Sequence, residues 1–139
     1  MEAVIRFRDR SYLAWLTSRL DDVPAGKPAL LELFNALDDW FHSRVPDIDD
    51  FHGCFFINAS AEFGDRDSAI HRACAEHKAG VTILIRQHVD LLSLPEGRAE
   101  EMTRLVVLLK EGAISLAHVQ GDLDAALDAK GIVKGVLPD

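Results

Sequence analysis

The stretch from residue 70 to residue 91 constrains the fold most. Ile70, Cys74, His77, Val81, Leu84, His88 and Leu91 recur at alternating spacings of four and three. That period belongs to one face of an α-helix, and it persists for more than five turns. A helix with so long an apolar seam must lay it against other elements, and the flanking segments read as helices able to receive it.

Residues 2–20 place Ile5, Tyr12, Trp15, Leu16 and Leu20 on one side, and DDVPAGKP should stop that helix. Residues 28–43 carry Leu30, Leu33, Phe34, Leu37, Trp40 and Phe41 in a core-facing stripe. The segment SRVPDIDDFHG (43–53) opposes regular structure and reads as a loop. The long helix is expected to open near Ser68. After it, Ser93 and Glu96 resemble a capping box, with Pro95 suited to the first turn of the next helix. That helix, about 95–119, carries Met102, Leu105, Val106, Leu109, Ala113, Leu116 and Ala117, with Val107, Leu108 and Ile114 between them. Apolar on two sides, it needs two partners: its own core and a second copy of the chain, which Gly112, Ala113 and Ser115 would let approach closely. A last, weaker helix should run from Gly121 and Asp122 through Lys130, with Gly131 and Gly135 loosening the end. The short connection at 92–95 makes the two long helices antiparallel neighbours. The expected fold is all-α: one domain over 1–139, an antiparallel bundle of about five to six helices, dimeric.

Charge narrows the function. A net charge of −8 argues against nucleic-acid binding by this chain alone, since phosphate neutralisation needs a basic face. The one basic cluster, Arg6, Arg8 and Arg10, reads as a solvated face or as the place where a neighbouring domain joins. The longest apolar run, LVVLL (105–109), is too short for a membrane span, and MEAVIRFRDR is too charged for a signal peptide. Cys54 and Cys74 form no ligand-spaced cluster, which suits free thiols in a cytoplasmic protein. Catalytic signatures of the G-x-S-x-G, P-loop or H-E-x-x-H kind do not occur, and a Glu62–His77 dyad alone is a weak basis for catalysis. Glu62, Cys74 and His77 guarantee only two convergent ligands, short of what a metal needs. No catalytic residue, metal or cofactor is expected.

Residues 53–63, GCFFINASAEF, form the most specific stretch. At helical spacing Cys54, Asn58 and Glu62 share one face, while Phe55, Phe56, Ala59 and Phe63 fill much of the rest. A short helix apolar almost all round is expected to be buried. Asn58 and Glu62 must then pair with a neighbour, with water or with a bound molecule.

This run, preceded by LLELFNALDDWF (30–41), resembles the C-terminal region of tetracycline-repressor-type (TetR) regulators. AIHRACAEHKAGV (69–81) and LVVLLKEGAISLA (105–117) fall where that family has its long helix and its first dimer helix. The resemblance covers nearly the whole chain from about residue 5. No tri-helical segment precedes FRDRSYLAWL, so the chain is expected to lack the family's helix-turn-helix, as a fragment or as a shortened product. The resemblance implies an effector-sensing and dimerisation domain, with DNA contacted only through that absent head. It implies a pocket for a small-molecule effector bounded by Phe34, Phe41, Phe56, Asn58, Glu62, His77, Met102 and Leu105. Loop 43–53 is the candidate gate. The implied homodimer surface is Leu109, Ala113, Leu116, Leu123 and Leu127. The competing expectation is a stand-alone homodimeric scaffold or small-molecule-binding protein.

Overall fold

The structure is a computed structural model that describes residues 1–46 and 48–139. Asp47, within the expected loop, lies outside the described residues. Among the described residues the regular elements are six helices: α1 (Glu2–Asp21), α2 (Lys27–Phe41), α3 (Phe55–Glu62), α4 (Ala69–Asp90), α5 (Glu96–Gln120) and α6 (Ala125–Val136). None is long and apolar enough to cross a membrane.

Helix α2 is the axis of the bundle, packed against α1, α4, α5 and α6. Leu30, Leu33, Phe34 and Leu37 are wholly buried, as the stripe in the sequence requires. Arg19 fastens α1 to α2 through Glu32 (2.8 Å) and Asp39 (2.9 Å). Helix α3 packs chiefly on α4.

Four local expectations are corrected by the packing. The α4 seam drifts: Cys74, His77, Val81 and His88 are buried as expected, but Ile85 replaces Leu84 at the core and Leu91 is 60% exposed. A strict 3.5-residue repeat slips around a straight helix of 3.6 residues per turn, so its late members leave the core. Ser68 does cap α4, accepting a hydrogen bond from the His71 amide at 3.1 Å. Ser93, in contrast, is no cap. It adopts φ 56 in the turn, Pro95 stands at the N-cap of α5, and Glu96 reaches Arg86 at 2.7 Å.

The last helix does not stop at Lys130. It continues through Gly131 and Gly135 to Val136. Two glycines in a helix cost about 1 kcal/mol each, whereas burying Val133 and Leu137 returns roughly 1.5–3 kcal/mol apiece. Lys27 then clasps the end of the chain, donating to the Leu137 carbonyl and the Asp139 carboxylate, both at 2.8 Å.

Helix α3 is not buried all round either. Phe56 and Ala59 are buried and Phe55 half-buried, but Ile57, Asn58, Ala61 and Glu62 are exposed. Asn58 donates a long hydrogen bond to the His52 carbonyl (3.4 Å), and Glu62 faces solvent, so neither needs the buried partner expected of it.

Candidate functional site: a cavity against the first helix

One face of α1 brings Val4, Phe7, Arg8, Ser11 and Tyr12 to a cavity of about 350 Å³. Trp40 at the end of α2 closes one side; Ile48, Asp49, Asp50 and Gly53 form the loop wall, and Cys54, Phe55 and Phe56 at the start of α3 complete it. Arg8 spans the mouth, 2.8 Å from Asp49, with its guanidinium 4.4 Å from the Phe55 ring centroid. Arg6 pairs with Glu76 on α4. The basic cluster therefore ties α1 to α4 and to the loop.

The loop is held by an aromatic plug. Phe51 meets Trp40, Phe41 and His118 with ring centroids 4.9, 4.8 and 6.2 Å away. Gly53 has φ +84, and a Cβ there would lie 2.7–2.9 Å from the His118 ring. Gly53→Ala should therefore combine backbone strain with a clash against α5 and destabilise the chain by about 1–3 kcal/mol. Chemical denaturation would show it as a lowered midpoint.

Behind the cavity lies a polar interior that the sequence reading did not assemble. Tyr12 sits edge-on to Trp15, Trp40 and His77, and His77 stacks on Phe56 at 3.4 Å between centroids. His77 Nδ1–H donates to Asp9 on α1 at 2.7 Å. Burial nevertheless dominates over that hydrogen bond and, with the Lys78 and Lys110 charges, pushes the His77 pKa down to about 4. At the next position, Lys78 Nζ donates to Cys54 Sγ at 3.3 Å and to both Glu111 oxygens at 2.8 and 3.1 Å. Lys110, only 2% exposed, lies 2.9 Å from Glu111. Burial lowers the Lys110 pKa, and the neighbouring Lys78 adds to it. Burial works to raise Glu111, but the two lysines hold it below its usual range. Two lysines thus share one carboxylate, and Lys78 also adjoins Cys54.

The His77 shift fixes a pH response. The unfolded imidazole protonates near pH 6.5 and the folded one near 4, so between those values the unfolded chain binds more protons. Stability is full above pH 6.5 and falls as the pH drops toward 4, by up to about 3 kcal/mol. His88, whose Nδ1 accepts from the Gly26 amide at 3.2 Å, acts in the same direction, because burial lowers its pKa. Denaturation midpoints of wild type and His77→Gln across this range would test the claim: the variant should lose most of the acid slope.

Of the pocket residues expected from the sequence, Phe56 lines the cavity. His77 lies directly behind Phe56; Phe34 and Phe41 are in the core, and Asn58 and Glu62 face outward on α3. Met102 and Leu105 open instead on a shallow groove along α5 with Leu108. Of the residues expected at a dimer face, Leu116, Leu123 and Leu127 are exposed, Leu109 is half-buried and Ala113 faces this chain's own core at 3% exposure. Leu108, Val119, Ile132 and Val136 are further exposed apolar residues on α5 and α6.

The chain superposes on the crystal structure of a TetR-family transcriptional regulator from Streptomyces coelicolor with a TM-score of 0.79 and 25% identity. That match covers 96% of this chain but 62% of the regulator, so the chain spans under two thirds of its length. Residues 31–130 match the family described as transcriptional regulator LmrA/YxaF-like, C-terminal domain, and the chain belongs to that family. No match was found among curated proteins.

Proposed function

We propose that this chain senses a small-molecule effector and pairs with a second copy, relaying occupancy to a DNA-binding head. The observation that carries the reading is that α1 supplies five of the residues around the cavity, so a molecule inside it bears directly on the first helix. Phe7, Tyr12, Trp40, Phe55 and Phe56 give the walls an aromatic part, and Arg8, Ser11, Asp49 and Asp50 are polar groups able to orient a ligand. Occupancy would shift α1 between two positions only to the extent that the effector binds one of them more tightly. On α5, Leu108, Leu116 and Val119 lie along one face with Gly112 and Ser115 exposed among them; on α6, Leu127 is exposed near Gly131 and Gly135. A Cβ at Gly112, Gly131 or Gly135 would meet no atom within 4 Å, so a partner helix can come close. We infer a homodimer through this face.

Filling the cavity tests the sensor. Ser11→Phe places a ring in the space without removing a core group. Aromatic compounds that raise the melting temperature of the wild type by several degrees should leave the variant unshifted, while its own melting temperature stays close to wild type. Equal shifts in both proteins would place the ligand elsewhere and reject the cavity.

A further inference from the structure

We propose that the cavity takes an amphiphilic organic cation, an aromatic ring on a short arm ending in ammonium or guanidinium, whose charged end displaces Arg8 from Phe55 and Asp49 at the mouth. The inference rests on the reading of this cavity as the effector site and names the chemical class of the effector.

The mouth already holds a cation. The Arg8 guanidinium lies 4.4 Å from the Phe55 ring centroid and 2.8 Å from Asp49 Oδ2. An aromatic face beside a carboxylate attracts an organic cation twice over, by the ring quadrupole and by charge. Arg8 holds that place weakly. Its side chain is 39% exposed and that of Asp49 73%, so water screens the pair, and Arg8 regains full hydration on withdrawing. The lining sets Asp49 and Asp50 against Arg8 alone, on a chain of net charge −8. Once Arg8 withdraws, the mouth presents two carboxylates, which repel a ligand carboxylate and draw in an ammonium.

A ligand can use the rest of the cavity, and Arg8 does not. Tyr12, Trp40 and Phe56 are buried and form the inner wall, whereas Phe7, Asp49 and Asp50 are exposed at the rim. A ring carried by the ligand buries its faces against that inner wall, and this burial is what lets the ligand cation prevail over the arginine. Apolar within and acidic at the mouth, the site fixes the orientation, ring inward and charge outward. Displacement also gives occupancy its effect. Arg8 straps α1 to the loop and to α3, and the cation binds more tightly to the arrangement with the strap undone. That differential affinity is what a response of α1 requires.

The test is isothermal titration calorimetry of the purified chain with three probes of one shape: 2-naphthylmethylammonium, 2-naphthylmethanol and 2-naphthoate. The ammonium should bind about tenfold or more tighter than the alcohol and the naphthoate more weakly than either, with the advantage of the ammonium shrinking in high salt. Arg8→Gln removes the internal competitor, so it should tighten the ammonium about tenfold and leave the alcohol nearly unchanged. Arg10→Gln, the same change of charge outside the cavity, should alter neither. An Arg8→Gln variant that binds the ammonium more weakly, or equal tightening by Arg10→Gln, would overturn the displacement. An alcohol that binds as well as the ammonium, or a naphthoate that binds better, overturns the cation class; where Ser11→Phe abolishes that binding, the cavity still stands as the effector site. Ammonium binding that survives Ser11→Phe rejects the cavity reading as well, and binding of none of the three rejects the proposed class outright.

Discussion

Glu111→Leu is expected to cost the fold about 3 kcal/mol, because it leaves Lys110 buried without the carboxylate that offsets its charge. The lysine would then either shed its proton or draw water inward, and both are expensive in an apolar surrounding. Lys78 loses two hydrogen bonds at the same time, and its contact to Cys54 would loosen. The pair as a whole need not stabilise the chain: a buried ion pair replaced by apolar groups of similar volume is often neutral or better. The double variant Lys110→Met with Glu111→Leu should therefore recover most of the loss. Urea denaturation of the two single variants and the double one would measure the coupling, and an unchanged midpoint for Glu111→Leu would show that Lys110 does not depend on it.

The second large effect concerns association. If the proposed dimer forms, Leu127→Glu should raise its dissociation constant about a hundredfold or more, about 2.7 kcal/mol, by placing an unpaired carboxylate in the proposed helix interface. Leu127 is 45% exposed in the single chain, so the fold of the protomer should not suffer. Sedimentation equilibrium would read the dissociation constant and far-ultraviolet circular dichroism the fold. Ala113→Glu makes the contrast: at 3% exposure that carboxylate enters the chain's own core, and the protomer itself should unfold.

The difference between those two residues shows where sequence reading stops. The helices were legible because each carries an apolar stripe at helical period, and α2 matches its stripe residue for residue. Which side of a doubly apolar helix faces inward was not legible. On α5, Val106, Ala113 and Ala117 point in while Leu108, Leu116 and Val119 point out, a choice made by where α2, α4 and α6 lie. Lys110 carried a readable signal: it stands on the Val106–Ala113–Ala117 register inside LVVLLKEGAISLA, and a charge at a core position calls for a partner. Glu111 and Lys78 could have been sought from there. The cavity left no such mark. Tyr12, Trp40 and Phe55 read as core aromatics, because an aromatic that walls an empty space and one that fills a core have the same pattern along the chain. The outward turn of Asn58 and Glu62 was not legible either, since α3 packs chiefly on α4 where its composition suggested burial on all sides.

The measurement that bears most directly on the account is native mass spectrometry of the purified chain, before and after addition of an aromatic compound that raises its melting temperature. The account predicts a dimer that gains the mass of the compound, with the gain abolished by Ser11→Phe and the dimer by Leu127→Glu. A chain that stays monomeric at working concentration and takes up the compound equally well with the cavity filled would contradict both the interface and the pocket.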